Sequence, residues 1–196
     1  GQGAQARAKE ELRRRLELEG IFDPRGKRPL PKYPESVVIL TSPTGAAVKD
    51  VLRVSRGRFP VCGITVIPCN VQGDDAAPEI VRAFSRAARR EVADLVLLVR
   101  GGGSRDDLNP FDDERVVKAV RSCPIPVVTG LGHEIDSTLS DLAADAAAPT
   151  PSAAAEMVFP DRRAVISEIS ALQRHAKSGM DRRLDDRTWS VERSRT

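Results

Sequence analysis

Four stretches of the chain are apolar almost without interruption: 36–41 (SVVILT), 63–67 (GITVI), 93–99 (ADLVLLV) and 125–129 (IPVVT). Each is short, rich in β-branched residues and bounded by Gly, Pro or polar side chains. A strand that is apolar on both sides is buried on both faces, which is the mark of a parallel sheet. Between these runs, apolar positions recur at helical spacing over 45–56, 77–91 and 113–121, with Pro78 and Asp112/Asp113 as starts. The alternation predicts an α/β fold, with an open, mostly parallel sheet, flanking helices and right-handed crossovers.

The flanks read differently. Residues 4–19 mix charge with Leu12, Leu16 and Leu18 and predict a helix ended by Gly20. The following stretch, 23–35, carries four prolines and several charges, so it is expected to be a linker. A further helix is expected from Pro151, with Thr150 as its N-cap. Beyond it, Val165, Ile169, Leu172, Ala176 and Met180 approximate a heptad seam. That seam suits either an amphipathic helix packed on the domain or the start of a coiled coil. The expected division is a helix and linker over 1–35, an α/β domain over 36–160 and a helical arm over 161–196.

Composition narrows the setting. No apolar run nears the roughly 18 residues of a membrane span, and residues 1–15 hold no signal-peptide core. Cys62, Cys69 and Cys123 form neither an even framework nor a CxxC pair, which predicts a reduced, cytoplasmic chain without a zinc site. The net charge of +3 is unevenly placed. Residues 1–30 hold eight Lys/Arg against five Asp/Glu, and 161–196 hold nine against six. The middle holds fourteen against seventeen, so the predicted α/β domain is itself acidic. Any binding of a polyanion there has to come from local geometry. Aromatic side chains are few, which leaves little for base stacking.

In a parallel sheet, ligands bind beyond the carboxyl ends of the strands. The first strand runs into Ser42-Pro43-Thr44-Gly45 and a helix carrying Asp50, a small, hydroxyl-rich approach to a helix N-terminus suited to an anion. It matches neither the P-loop nor the dinucleotide-binding spacing. The third strand runs into Arg100-Gly101-Gly102-Gly103-Ser104. There, bare backbone amides can approach a phosphate, and a guanidinium can fork onto its oxygens. The fourth runs into Gly132-His133-Glu134-Ile135-Asp136. His133 and Asp136 are three residues apart, which suits an imidazole oriented by a carboxylate for acid/base work. Each feature also has a plain structural reading as a turn, a cap or a solvated face.

Taken together, TSPTGAAVKD (41–50), VQGDDA (71–76), RGGGSRDDL (100–108), FDDE (111–114), PVVTGLGHEIDSTLSDLAAD (126–145) and APTPSAAAE (148–156) resemble the exodeoxyribonuclease VII large-subunit family. The resemblance implies exonucleolytic hydrolysis of single-stranded DNA from either end, releasing oligonucleotides and 5′-phosphomononucleotides. Carried over by motif, it implies catalytic roles for Asp50, Arg100, His133 and Asp136. Substrate phosphate then falls to Ser42, Thr44, Gly45, Gly101, Gly102, Gly103 and Ser104. It also implies an OB-fold domain before residue 1, and after residue 160 a long helical arm that binds several copies of a small subunit. Two versions of the chemistry stay open: Asp50 and Asp136 hold Mg²⁺, or hydrolysis runs without a metal. The competing functions are a non-catalytic module whose loops bind a nucleotide or sugar phosphate, and a scaffold whose basic ends mediate assembly.

Overall fold

A computed structural model describes residues 2–89, 93–103, 106–132 and 137–193. The four apolar runs are strands: β1 (Ser36–Thr41), β2 (Gly63–Pro68), β3 (Leu95–Val99) and β4 (Val127–Gly130). A two-residue strand, β5 (Ala146–Ala147), adds an edge that hydrophobic patterning is too coarse to reveal. All pairs are parallel, and the spatial order is β2-β1-β3-β4-β5. The α/β reading of the sequence therefore holds.

The helices are α1 (Gln2–Leu18), α2 (Ala46–Arg58), α3 (Ala76–Ala88), α4 (Glu114–Ser122), α5 (Leu139–Ala143), α6 (Pro151–Val158) and α7 (Arg162–Arg193). Alternate strand residues feed two cores. Val38, Leu40, Val96, Leu98 and Val127 pack with α1, α3, α4 and α5 on one face. Val37, Ile39, Leu95, Leu97 and Val128 pack with α2 and α6 on the other. This sandwiching explains the continuous apolar runs of β1, β3 and β4, whose two faces are both shielded from water, while the edge strand β2 is half-buried.

Local signals set the helix ends. Thr150 caps α6 by accepting from the Ala153 amide at 3.1 Å, with Pro151 in the first turn. Asp113 caps α4 by accepting from Arg115 N at 2.8 Å. Helix α3 begins at Ala76, two residues before Pro78, which is tolerated in a first turn because the missing amide there has no helical partner. The short α5 and a 3-10 stretch over Asp106–Asp112 were not expected from periodicity. Neither is long enough to show one.

The segment before β1 is pinned to the domain. Leu16 of α1 is fully buried in the α3/α4/α5 core, and Arg15 pairs with Glu114. Asp145 draws the segment after α1 inward: it accepts from Arg28 N at 2.7 Å, Arg28 Nη2 at 2.8 Å and Val127 N at 2.7 Å. Gly1–Phe159 form one compact unit and Pro160–Thr196 a second. In the second unit Ile166, Ile169, Leu172 and Met180 are about half exposed or more. Among the described residues no helix is long and apolar enough to cross a membrane.

Candidate active site

In the order β2-β1-β3-β4-β5 the chain winds one way from β1 to β2 and the other way from β3 onward. The crevice of such a sheet opens where the winding reverses, beyond the carboxyl ends of β1 and β3. The loop into α2 and the Arg100–Gly103 loop meet at that point. A Cβ on Gly101 would stand 3.6 Å from the Ala47 amide nitrogen and 3.8 Å from its Cβ. Glycine at 101 thus leaves the first turn of α2 uncovered. Helix α2 is capped by Gly45, which offers no side-chain acceptor, so its leading amides remain available to an anion. Ser42 closes the turn through its carbonyl, which accepts from Gly45 N at 3.3 Å, and Thr44 is exposed at the rim. Thr41 Oγ1 is buried at the end of β1 with no hydrogen-bond partner among the described residues.

Arg100 is 1% exposed, a large cation held inside the carboxyl edge of the sheet. Its amide donates to Gly130 O at 3.2 Å, continuing the β3–β4 ladder, and its Nη2 meets Asp107 Oδ2 at 3.2 Å. Two glycines make room for the guanidinium. A Cβ on Gly103 would stand 2.3 Å from Arg100 Nη2 and 2.6 Å from Asp107 Oδ2, so a side chain there would displace both ends of the pair. Gly132, with φ +89°, turns the chain after β4 in the left-handed region, and its missing Cβ would stand 3.9 Å from Arg100 Nη1. Arg100 therefore links the loops after β3 and β4, while Gly101 links those after β3 and β1.

Asp50 lies one turn past Ala47 on α2, partly exposed, and its Oδ1 accepts from Arg53 Nη2 at 2.9 Å. His133, Asp136 and Ser104 lie outside the described residues, but the chain on either side of 133–136 is described. Leu131 is buried before it. After it, Thr138 and Asp141 form a capping box on α5, with Thr138 Oγ1 accepting from Asp141 N at 3.1 Å and Asp141 Oδ2 accepting from Thr138 N at 2.9 Å. The other Asp141 oxygen accepts from Thr129 Oγ1 of β4 at 2.6 Å. Asp112 Oδ1 accepts from Leu139 N at 2.7 Å.

These supporting carboxylates were missed by sequence reasoning, as was Asp107. The signal for Asp141 was present in Thr138-Leu139-Ser140-Asp141, a capping pattern with Asp in place of the usual Glu. Asp112 was marked only as a helix start, a part that Asp113 takes, and nothing local points to its bond with Leu139 or to Asp107. Burial pushes the Asp112 carboxyl above its ordinary range, against the opposing pull of Lys9 and the Leu139 amide. Among the described residues no three His, Cys, Asp or Glu side chains converge as a metal site. Asp50 alone of the two sequence-proposed metal ligands is described. A cation there would compete with Arg53 for its carboxylate.

Residues 21–196 match the family model described as exonuclease VII, large subunit. The chain is 47% identical over 192 residues to the exodeoxyribonuclease 7 large subunit of Thioalkalivibrio sulfidiphilus, covering 98% of this chain and 43% of that one. It is 44% identical over 193 residues to the protein of the same name from Moorella thermoacetica, covering 98% and 48%. With the Xanthomonas campestris counterpart, identity is 47% over 173 residues, covering 88% and 39%. The chain thus spans less than half the length of these curated relatives.

Proposed function

Because the chain belongs to the exonuclease VII large-subunit family, we propose that it is the part of such a subunit that hydrolyses phosphodiester bonds of single-stranded DNA, releasing oligonucleotides and 5′-phosphomononucleotides. The observation that carries this reading is the meeting of an α2 N-terminus without a side-chain cap, a bare glycine loop and a buried arginine at the point where the sheet reverses its winding. Such a place favours a phosphate, and its donors are fixed before substrate arrives.

In this reading a backbone phosphate lies across Gly101–Gly103 and the first amides of α2, with Ser42, Thr44, Gly45 and Ser104 at its margin. Arg100 supplies positive charge from below, where low polarity strengthens it against charge developing on the five-coordinate phosphorus. His133 takes a proton from the attacking water or gives one to the leaving oxygen, and Asp136 steadies its imidazolium. Asp50 orients the water; were Mg²⁺ bound, Asp50 and Asp136 would be the residues to hold it, and the ion would supply Lewis-acid charge neutralisation. The proton and charge roles of Arg100 and His133 are the same in both versions.

The remaining roles concern the rest of the molecule. The chain's share of its relatives leaves room for an OB-fold domain that holds the strand and for a longer helical arm. Copies of a small subunit would bind that arm, in the cytoplasm. The acidic balance of the α/β unit and its few aromatics suit a division in which another module provides most of the DNA affinity.

The test is release of acid-soluble nucleotides by the complete enzyme carrying His133→Ala beside the parent, with DNA binding measured on both. Lost turnover with binding retained is expected. Unchanged turnover would leave these loops as a binding module and reject the hydrolytic assignment.

A further inference from the structure

The N-terminal helix reaches the candidate site through one side chain. Lys9 of α1 places Nζ 2.8 Å from Asp112 Oδ2 and 3.2 Å from the carbonyl oxygen of Ser137. The other oxygen of Asp112 accepts from the Leu139 amide at 2.7 Å, and the preceding carbonyl, Phe111 O, accepts from Ser140 Oγ at 2.6 Å. One ammonium and one carboxylate thus hold Ser137 and Leu139 from a single side, while Asp141 and Thr129 hold the same turn from β4. The Asp112 side chain is 18% exposed and that of Lys9 36%, so the bridge is partly shielded from water and salt.

Placement makes this more than a surface ion pair. Ser137 directly follows Asp136, and Leu139 opens α5, which anchors the chain leaving the 133–136 segment. The other charged contacts here, Arg15 of α1 with Glu114 and Glu19 just past α1 with Lys118, reach α4 and do not touch that turn. Helix α1 therefore docks in two separable ways, onto α4 for attachment and onto the 137–139 turn through Lys9.

We propose that Lys9 and Asp112 are positioning residues for the hydrolysis, a clasp through which α1 fixes the 137–139 turn that follows His133 and Asp136 in the sequence. The inference rests on the catalytic reading of those two residues. Its chemistry is geometric: an ammonium donates at once to a carboxylate and a carbonyl, and the carboxylate passes the constraint to the Leu139 amide. Releasing the clasp lets the turn shift, and small misplacements of catalytic groups are costly in turnover while leaving substrate affinity intact.

The experiment compares Lys9→Met, Lys9→Arg, Asp112→Asn, Arg15→Ala and His133→Ala in the complete enzyme, reading kcat and KM on a single-stranded oligonucleotide. Hydrogen exchange of the peptide spanning 137–143 is followed on the same samples. Lys9→Met and Asp112→Asn are expected to lower kcat on the order of tenfold with KM unchanged and to speed that exchange. Lys9→Arg should restore most of the turnover, because a guanidinium can still bridge two acceptors. Arg15→Ala should keep parental kcat. Parental kcat in both Lys9→Met and Asp112→Asn overturns the clasp, as does an equal loss in Arg15→Ala, which would make attachment of α1 the whole effect. Either result leaves the catalytic reading standing if His133→Ala is inactive, whereas parental turnover in His133→Ala rejects that reading itself.

Discussion

Two arginine–aspartate pairs sit at opposite edges of the same sheet, and they are built as mirror images. At the amino edge the carboxylate is the buried partner: Asp145 is 2% exposed and Arg28 32%. Asp145 is saturated by the Arg28 backbone and side chain and by the Val127 amide, while Arg28 Nη1 reaches Cys123 O at 2.7 Å. At the carboxyl edge the guanidinium is the buried partner, Arg100 at 1% against 31% for Asp107, and glycines surround it. The same residue types thus make a lock at one edge and a buried positive charge flanked by glycines at the other. Burial alone does not separate structure from function. The sign of the buried charge and the bareness of its surroundings do.

The comparison breaks if the two pairs respond alike to mutation. Asp145→Ala should cost the most stability, about 1–3 kcal/mol, because it removes the carboxylate from a partly exposed Arg28 and orphans the Val127 amide. Chemical denaturation measures this, and turnover per folded molecule of the complete enzyme should stay parental. Gly103→Ala should do the reverse. Its Cβ would push Arg100 Nη2 and Asp107 Oδ2 apart, both being ends of side chains that can give way. Turnover is expected to fall by about tenfold, with stability changed by less than about 1 kcal/mol.

A smaller effect sharpens the contrast through pH. Burial pushes the Asp145 carboxyl up, but the Arg28 side chain and the amides of Arg28 and Val127 outweigh it and hold it below its ordinary value. Its contribution to stability is therefore present above the unfolded pKa, near 3.9, and lost as pH falls through the lower folded value. Asp112, at the carboxyl edge, is shifted upward, mainly by burial. Its contribution is present at low pH and declines as pH rises. Across the acid range the parent should gain on Asp145→Asn with rising pH and lose ground to Asp112→Asn. Denaturation curves at several acid pH values check both signs.

How much of this was legible in the sequence follows from what sequence patterns encode. β1, β3 and β4 are runs buried on both faces, and composition marks them together with the half-buried edge strand β2. Asp50, Arg100 and the glycines at the strand ends were legible because a parallel sheet fixes where ligands go. The pairing of Arg28 with Asp145 was not, since 117 residues separate them and a proline-rich stretch gives no period. Asp107 and Asp112 escaped for a related reason. Their roles come from what a 3-10 stretch places beside them, and that stretch is too short to show a pattern. The helix α1 was legible from Leu12, Leu16 and Leu18, but nothing local says that Leu16 is buried and Leu18 exposed, or which surface the helix meets.

The role proposed for the buried cation at the carboxyl edge is in hydrolysis. It is tested most directly by single-turnover cleavage of a labelled single-stranded oligonucleotide by the complete enzyme carrying Arg100→Lys. Lysine keeps the charge but loses the planar fork, so the rate at saturating enzyme should fall by about 10²–10³ per folded molecule while DNA binding persists. A near-parental rate would contradict the account and reduce Arg100 to the same structural part that Arg28 plays at the other edge.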